Sequence, residues 1–293
     1  VEMHAGQPVI TEPIVRDLVD RQFPEWRELP VRRIGVEGTD NAIFRIGADL
    51  VARFPLRPED PEQASRSLAA AGLLAGRTRF RTPEPVALGE PGSGYPLQWA
   101  VQTWVPGTPA TEQDPGESDV FARDLAELVR EIRKIDTGGR GFSGGWRGGS
   151  LTDHDEWLAT CFDRSEALVD VPPLRRMWAG MRELPRDDGP DVLSHRDLLP
   201  GNLLVDGGRL AGVIDVGELA PADPALDLMT AWSMLDDGPR AVFRAELGCT
   251  DLEWERGRAW AFEQAMGVLW YYAETNPGMS RRGLRVLRRL MAG

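Results

Sequence analysis

Residues 194–217 read S-H-R-D-L-L-P-G-N-L-L-V-D-G-G-R-L-A-G-V-I-D-V-G. Two apolar runs, Leu203–Val205 and Leu210–Ile214, flank Asp206-Gly207-Gly208-Arg209, a composition that favours a tight hairpin. Asn202 would open the first strand and Asp215 would close its antiparallel partner, so the hairpin folds both onto one side. Asp197 lies in the loop that enters the first strand and can reach the same place. A carboxylate able to accept a hydroxyl proton, an amide oxygen and a second carboxylate then converge. That is the set phosphoryl transfer needs: a base, and hard oxygen ligands for a divalent cation. Taken singly, Asp, Pro, Gly and Asn are common turn residues. The order and the hairpin between them carry the chemical reading.

Outward from this segment the chain changes character once. Residues 11–23 have a helical apolar spacing, with Thr11 placed to cap and Pro13 in the first turn. Val31–Phe54 alternates apolar and polar residues between glycines and predicts two or three antiparallel strands. A helix is expected over 64–76, then strands over 83–88 and 97–105 separated by Glu90-Pro91-Gly92-Ser93-Gly94. After Pro106-Gly107 the pattern becomes helical. Phe121, Leu125, Leu128, Ile132 and Ile135 share one helix face, a glycine-rich loop spans 138–149, and helices are expected at 153–169, at 174–184 and from 224 to 291 with a break near Pro277-Gly278. The fold class predicted is α+β: a bilobal chain with an antiparallel-sheet N-lobe over 1–105, a hinge about 100–107, and a mostly helical C-lobe over 106–293.

Composition narrows the function. The 293 residues are 42 % hydrophobic and 27 % charged, ordinary for a globular enzyme. The net charge of −12 argues against a nucleic-acid partner, whose affinity depends on basic residues meeting phosphates. It suits a cationic substrate, or simply solubility. No apolar run is long enough to cross a membrane. Val1–Pro8 contains Glu2 and no apolar core of a leader, so a cytoplasmic protein is expected. Three histidines, His4, His154 and His195, cannot build a histidine-rich metal centre, which leaves oxygen ligands and points to Mg²⁺. Cys161 and Cys249 are far apart and are expected to be reduced, buried thiols.

The H-R-D-x-x-x-x-N segment followed by D-x-G resembles the catalytic and metal-binding arrangement of protein kinases. Pro200-Gly201-Asn202, and Ala222-Asp223-Pro224-Ala225-Leu226-Asp227-Leu228 downstream, resemble the aminoglycoside phosphotransferase family of small-molecule kinases. That resemblance implies Asp197 as catalytic base, Asn202 and Asp215 as Mg²⁺ ligands, His195 as support of the loop, and Asp227 as its anchor. Val216 departs from the phenylalanine of protein kinases, and Arg196 stands where the phosphotransferases commonly have glycine.

The resemblance also implies a nucleotide-binding half. Kinases hold the phosphates with a lysine on an N-lobe strand, paired with a helix glutamate. The single lysine, Lys134, lies on the long helix. Arg53, in Leu50-Val51-Ala52-Arg53-Phe54, stands in the lysine's position, and its planar fork can bind phosphate or carboxylate. The 64–76 helix contains no acid, so Glu59, Asp60 and Glu62 just before it are the candidates to pair with Arg53. Gly38, Thr39 and Asn41 belong to a loop that can cover the phosphates. The backbone of Gln102 and Trp104 sits where a hinge would contact the purine of ATP or GTP.

The acceptor would lie against C-lobe helices, where Asp236 and Glu263 are the candidate substrate contacts. Trp260, Met266 and Trp270 recur at helical spacing and are assigned to the core. The expected function is an ATP- or GTP-dependent phosphotransferase acting on a small-molecule hydroxyl, such as that of an aminoglycoside or macrolide, and so conferring resistance. The alternatives are a kinase of a metabolite hydroxyl and a catalytically weak nucleotide-binding module. The oligomeric state, monomer or homodimer, is open.

Overall fold

The computed structural model describes residues 7–34, 40–57, 60–144, 146–186 and 188–292. The chain divides into two compact units, one formed by Val1–Pro106 with Gly212–Glu218 and the other by Gly107–Ala211 with Leu219–Gly293.

The first unit is built on an antiparallel five-stranded sheet in the order β1-β2-β3-β5-β4. Its strands are β1 (Val31–Arg33), β2 (Asn41–Ile46), β3 (Leu50–Pro55), β4 (Pro85–Gly89) and β5 (Trp99–Thr103). Alternation decides the faces: Ala42, Phe44 and Ile46 of β2 are buried while their neighbours are partly open. Helix α1 (Glu12–Gln22) closes the core with Val15, Leu18 and Val19. Thr11 occupies its N-cap position, yet the side chain makes no capping bond. Phe54 stacks on Trp99 at 4.8 Å and meets Phe44 and Tyr95 edge-on. The buried Tyr95 hydroxyl donates to the Pro55 carbonyl at 2.7 Å and the Trp99 Nε1–H to the Glu90 carbonyl at 3.2 Å, so both polar groups in this aromatic cluster are satisfied. Helix α2 (Gln63–Leu74) packs on β4, β5 and the turn Val216–Glu218. Within this unit Val213 donates its N–H to the Arg81 carbonyl at 2.9 Å, tying the returning segment down.

The second unit is helical: α3 (Asp119–Arg133), α4 (Asp155–Ser165), α5 (Val171–Met181), α6 (Thr230–Met234), α7 (Asp237–Leu247), α8 (Asp251–Tyr271) and α9 (Pro277–Ala292). Ser118 caps α3 by accepting the Phe121 N–H at 3.1 Å. Helix α8 is largely buried: Trp260, Phe262, Ala265 and Met266 lie in the core, together with the polar Arg256 and Glu263. Short strands complete the unit. β6 (Thr108–Pro109), β8 (Leu203–Asp206) and β9 (Arg209–Val213) form one sheet in that order, and β7 (Val192–Ser194) pairs with β10 (Ala220–Ala222). Gly207 and Gly208 both have positive φ, 58° and 76°, the conformation a two-residue hairpin turn demands.

Several expectations need correction. The 224–291 stretch is divided into α6, α7, α8 and α9 and is not broken only once; the break expected near Pro277 is present after α8, and Pro277 starts α9, where a missing N–H costs nothing. Asn202 closes a 3-10 turn, Pro200–Asn202, instead of opening β8, and Asp215 lies two residues beyond β9. Strands β6, β7 and β10 are two or three residues long, too short to show a period. Cys161 is buried, its thiol pushed up to about 12 by desolvation, whereas Cys249 is only half-buried.

The interior of the second unit contains an ion pair. Arg256 donates from Nε to Asp223 at 2.8 Å, and its guanidinium also reaches the carbonyls of Leu184 at 2.7 Å and Gly149 at 3.3 Å. Asp223 additionally accepts from Trp260 Nε1 at 3.2 Å and from the Ala225 N–H at 3.0 Å. Both side chains are nearly inaccessible. Removing one partner leaves an uncompensated buried charge, so Arg256→Met is expected to lower unfolding free energy by ~3–5 kcal/mol. Urea denaturation followed by tryptophan fluorescence would measure it, and an unchanged midpoint would contradict this part for the pair.

Candidate active site

In the second unit the segment Ser194–Asp197 is held by one carboxylate. Asp227, 2 % exposed, accepts the Ser194 hydroxyl at 2.9 Å, the His195 N–H at 3.0 Å and the Arg196 N–H at 3.1 Å. These bonds hold Arg196 at φ 69°, a left-handed conformation that favours glycine. The physical reason for glycine at this position is therefore local: the loop must turn left there to project the next residue. His195 is fully buried and lies inside the loop's support.

Asp197 follows that turn. Asn202 donates Nδ2 to the Asp197 backbone carbonyl at 2.9 Å and to its carboxylate at 3.2 Å. The side chain of Asn202 is thereby oriented, and among the described residues no hydrogen bond is made to its Oδ1. On the other side of Asp197 stands Arg147, from the glycine-rich loop. Its guanidinium reaches Asp197 at 3.3 Å and Glu263 at 3.5 Å. Glu263 in turn meets His154 Nδ1 at 3.0 Å. The side chain of Glu263 is almost inaccessible, so a cation beside it is a requirement of burial. Glu263 thus faces inward onto Arg147 and His154.

In the first unit Arg53 of β3 makes an ion pair with Asp215. This pair was not foreseen: the candidates for Arg53 were acids near α2. Asp60 is instead bound to Arg66 of α2, Glu62 occupies the N-cap position of α2, and Glu59 lies outside the described residues. The absence of an acid in α2 follows from its neighbour. Where α2 packs on the Asp215–Gly217 turn it presents Ser67, and a Cβ on Gly217 would lie 2.7 Å from Ser67 Oγ and 2.9 Å from its Cβ. Asp215 itself adopts φ 61°.

The remaining nucleotide candidates divide. Gly38 and Thr39 lie outside the described residues. Asn41 opens β2 opposite Pro55. Gln102 is buried in β5, and the Trp104 N–H donates to the Asp49 carbonyl at 2.7 Å, so that donor is already committed within the first unit. The Trp104 ring carries the Arg45 guanidinium at 4.3 Å. Of the substrate candidates, Asp236 is bound by Arg289 of α9 at 2.6 Å. Sequence reasoning missed Arg147 and Arg289, because an arginine in a loop or on an exposed helix stripe has no local signature. Among the described residues no cluster of three or more His, Cys, Asp or Glu is disposed to hold a metal ion. No helix among them is long and apolar enough to cross a membrane.

Comparison with known proteins identifies the family. The model of the phosphotransferase enzyme family (APH) matches residues 31–260. The chain is 32 % identical over 193 residues to an aminoglycoside 3'-phosphotransferase of Streptomyces fradiae, covering 60 % of this chain and 68 % of that one. It is 30 % identical over 203 residues to the uncharacterized protein YcbJ of Bacillus subtilis (strain 168), and spans 62 % of each. Among solved structures, the GDP complex of wild-type aminoglycoside 2'-phosphotransferase-IIIa superposes with a TM-score of 0.71 at 19 % identity, over 97 % of this chain and 99 % of that one. The fold is therefore that of these phosphotransferases, and the chain belongs to the phosphotransferase enzyme family.

The close approach at Gly217 is testable. Gly217→Ala should displace α2 and destabilise the protein by ~1–3 kcal/mol through overpacking. Adding Ser67→Gly should recover part of the loss in a double-mutant cycle. Additive effects in thermal unfolding would show that the two positions do not meet.

Proposed function

We propose that this chain transfers the γ-phosphoryl group of ATP or GTP to a hydroxyl group of a small molecule, with Mg²⁺ as the metal. The observation that carries the reading is the Asp227-held loop: it fixes a carboxylate, Asp197, in direct contact with an amide, Asn202, whose oxygen is left to accept a cation. Asn202 and Asp215 would hold Mg²⁺; both offer hard oxygen, as that ion prefers. Bound there, the metal would neutralise negative charge on the phosphates.

The other roles follow from residue chemistry. Arg53 binds phosphate oxygens with its planar fork, and Asp215 holds that fork in place. Asp197 accepts a hydrogen bond from the acceptor hydroxyl, orients its oxygen for in-line attack and takes the proton as the bond to phosphorus forms. Arg147 fixes the carboxylate from behind. The hinge backbone at Gln102, the Trp104 carbonyl (its N–H being bound to Asp49), and the loop with Gly38, Thr39 and Asn41 are the proposed nucleotide contacts. GDP in a structural neighbour makes GTP a donor to test beside ATP.

The relative named aminoglycoside 3'-phosphotransferase makes an antibiotic hydroxyl the first acceptor class to test, with macrolides beside it and drug resistance as the outcome. A second reading, a kinase of a metabolite hydroxyl, is favoured by one observation: Asp236 and Glu263, the carboxylates expected to meet substrate amines, are both occupied by arginines. Either acceptor implies a cytoplasmic enzyme.

Asp197→Asn should reduce phosphoryl transfer by ~10²–10⁴-fold while leaving nucleotide affinity unchanged. Radiolabel transfer from either nucleotide and equilibrium nucleotide binding would measure the two effects. Transfer at the parental rate would remove Asp197 from the base role.

A further inference from the structure

We infer that the second unit carries a cleft for an anionic group, a carboxylate or phosphate, on the hydroxyl-bearing acceptor, with Arg282 and Arg285 as its contacts. The inference deepens the kinase reading above and rests on it. Asp114, Pro200, Ser233, Arg282, Arg285 and Arg289 line the cleft. Pro200 opens the 3-10 turn that ends at Asn202, so the cleft borders the loop that carries Asp197.

The charges of the cleft are not balanced. It presents three arginines and one carboxylate, Asp114, whose Oδ1 already accepts the Gly116 N–H at 3.0 Å. The arginines follow one face of α9 at i, i+3 and i+7. Arg289 is bound to Asp236 at 2.6 Å and to the Trp232 carbonyl at 3.1 Å. Among the described residues neither Arg282 nor Arg285 has a hydrogen bond or an ion pair. Arg282 is half-buried, and burial, then the neighbouring charges of Arg285 and Arg281, hold its pKa below the ordinary arginine range. In a protein of net charge −12, carboxylates are plentiful, yet among the described residues none pairs with Arg282 or Arg285. A partly desolvated guanidinium without a partner is where a bound anion gains most, through charge-assisted and bidentate hydrogen bonds.

The same pairing argues against a polyamine acceptor. A cationic substrate would have to displace Arg289 from Asp236 or Arg147 from Glu263, and would meet Arg282 and Arg285 in the cleft. A hydroxy acid or a sugar phosphate meets no such opposition.

The test is calorimetric titration of the protein with gluconate, glucose 6-phosphate, inorganic phosphate and kanamycin. The nucleotide site is first filled with a non-hydrolysable ATP or GTP analogue and Mg²⁺. Gluconate or glucose 6-phosphate should bind. Arg282→Gln/Arg285→Gln should weaken that binding about ten-fold or more, the effect of losing charge-assisted hydrogen bonds. Arg281→Gln/Arg288→Gln removes the same charge from the same helix outside the cleft and should change the affinity far less. Absence of binding by both hydroxy anions overturns the inference. So do binding that is indifferent to Arg282→Gln/Arg285→Gln, binding of inorganic phosphate alone, and kanamycin binding tighter than the anions. If that variant does not fold, phenylglyoxal labelling of the parent replaces it. Protection of Arg282 and Arg285 by glucose 6-phosphate supports the cleft; equal labelling overturns it. Nucleotide binding is read in the same preparation. Its presence without anion binding overturns only this inference, whereas its absence overturns the kinase reading itself.

Discussion

The Asp227 carboxylate is the constraint on which the proposed chemistry depends. It is buried, and three donors from three consecutive residues satisfy it. A buried carboxylate is costly unless its lone pairs are filled, so the Ser194–Arg196 backbone has little freedom to leave. That restraint holds Arg196 in a left-handed conformation, and the conformation decides where Asp197 points. Asn202 then reads the position of Asp197 through two hydrogen bonds. The proposed base and the proposed metal-binding amide are thereby placed by a residue that needs to touch neither substrate nor phosphate.

Arginine does most of the electrostatic work in a chain with one lysine. Arg53, Arg147, Arg256 and Arg289 each bind a carboxylate, and Arg147 bridges two. A planar fork with fixed donors can do this where a flexible ammonium cannot. The Arg53–Asp215 pair shows the consequence. With no acid in α2, the guanidinium is oriented by the carboxylate of the Asp215 turn, and α2 approaches that turn closely through Ser67 and Gly217. Among the described residues no carboxylate answers Arg282 or Arg285 beside the Asp227-held loop.

Much of the fold was legible because its elements are long or sharply punctuated. The β2–β3 alternation, the Asp206–Arg209 turn and the apolar face of α3 each carry their own period, and the residue order from His195 to Asp215 marks the catalytic segment. Strands of two or three residues carry no period, whereas Pro277-Gly278 marked the break between α8 and α9, since a proline suits a first helical position and not a helix interior. The supporting contacts of the site were illegible for a different reason. Arg147 meets Asp197 across 50 residues, and Arg289 meets Asp236 across 53. Asp236 and Glu263 were the candidate acceptor contacts, but composition cannot say that each already has a cation.

The most direct test of the account is phosphate release from Mg-ATP and Mg-GTP by the parent protein and by Asp227→Asn, with nucleotide binding measured beside it. An amide at this position keeps the size but loses the charge and one acceptor oxygen, so the loop is no longer held. The account predicts slow, Mg²⁺-dependent cleavage of one nucleotide by the parent, and a loss of about 10² or more in the variant at unchanged nucleotide affinity. Cleavage by a folded Asp227→Asn protein at the parental rate would contradict it, as would a parent that neither binds nor cleaves either nucleotide.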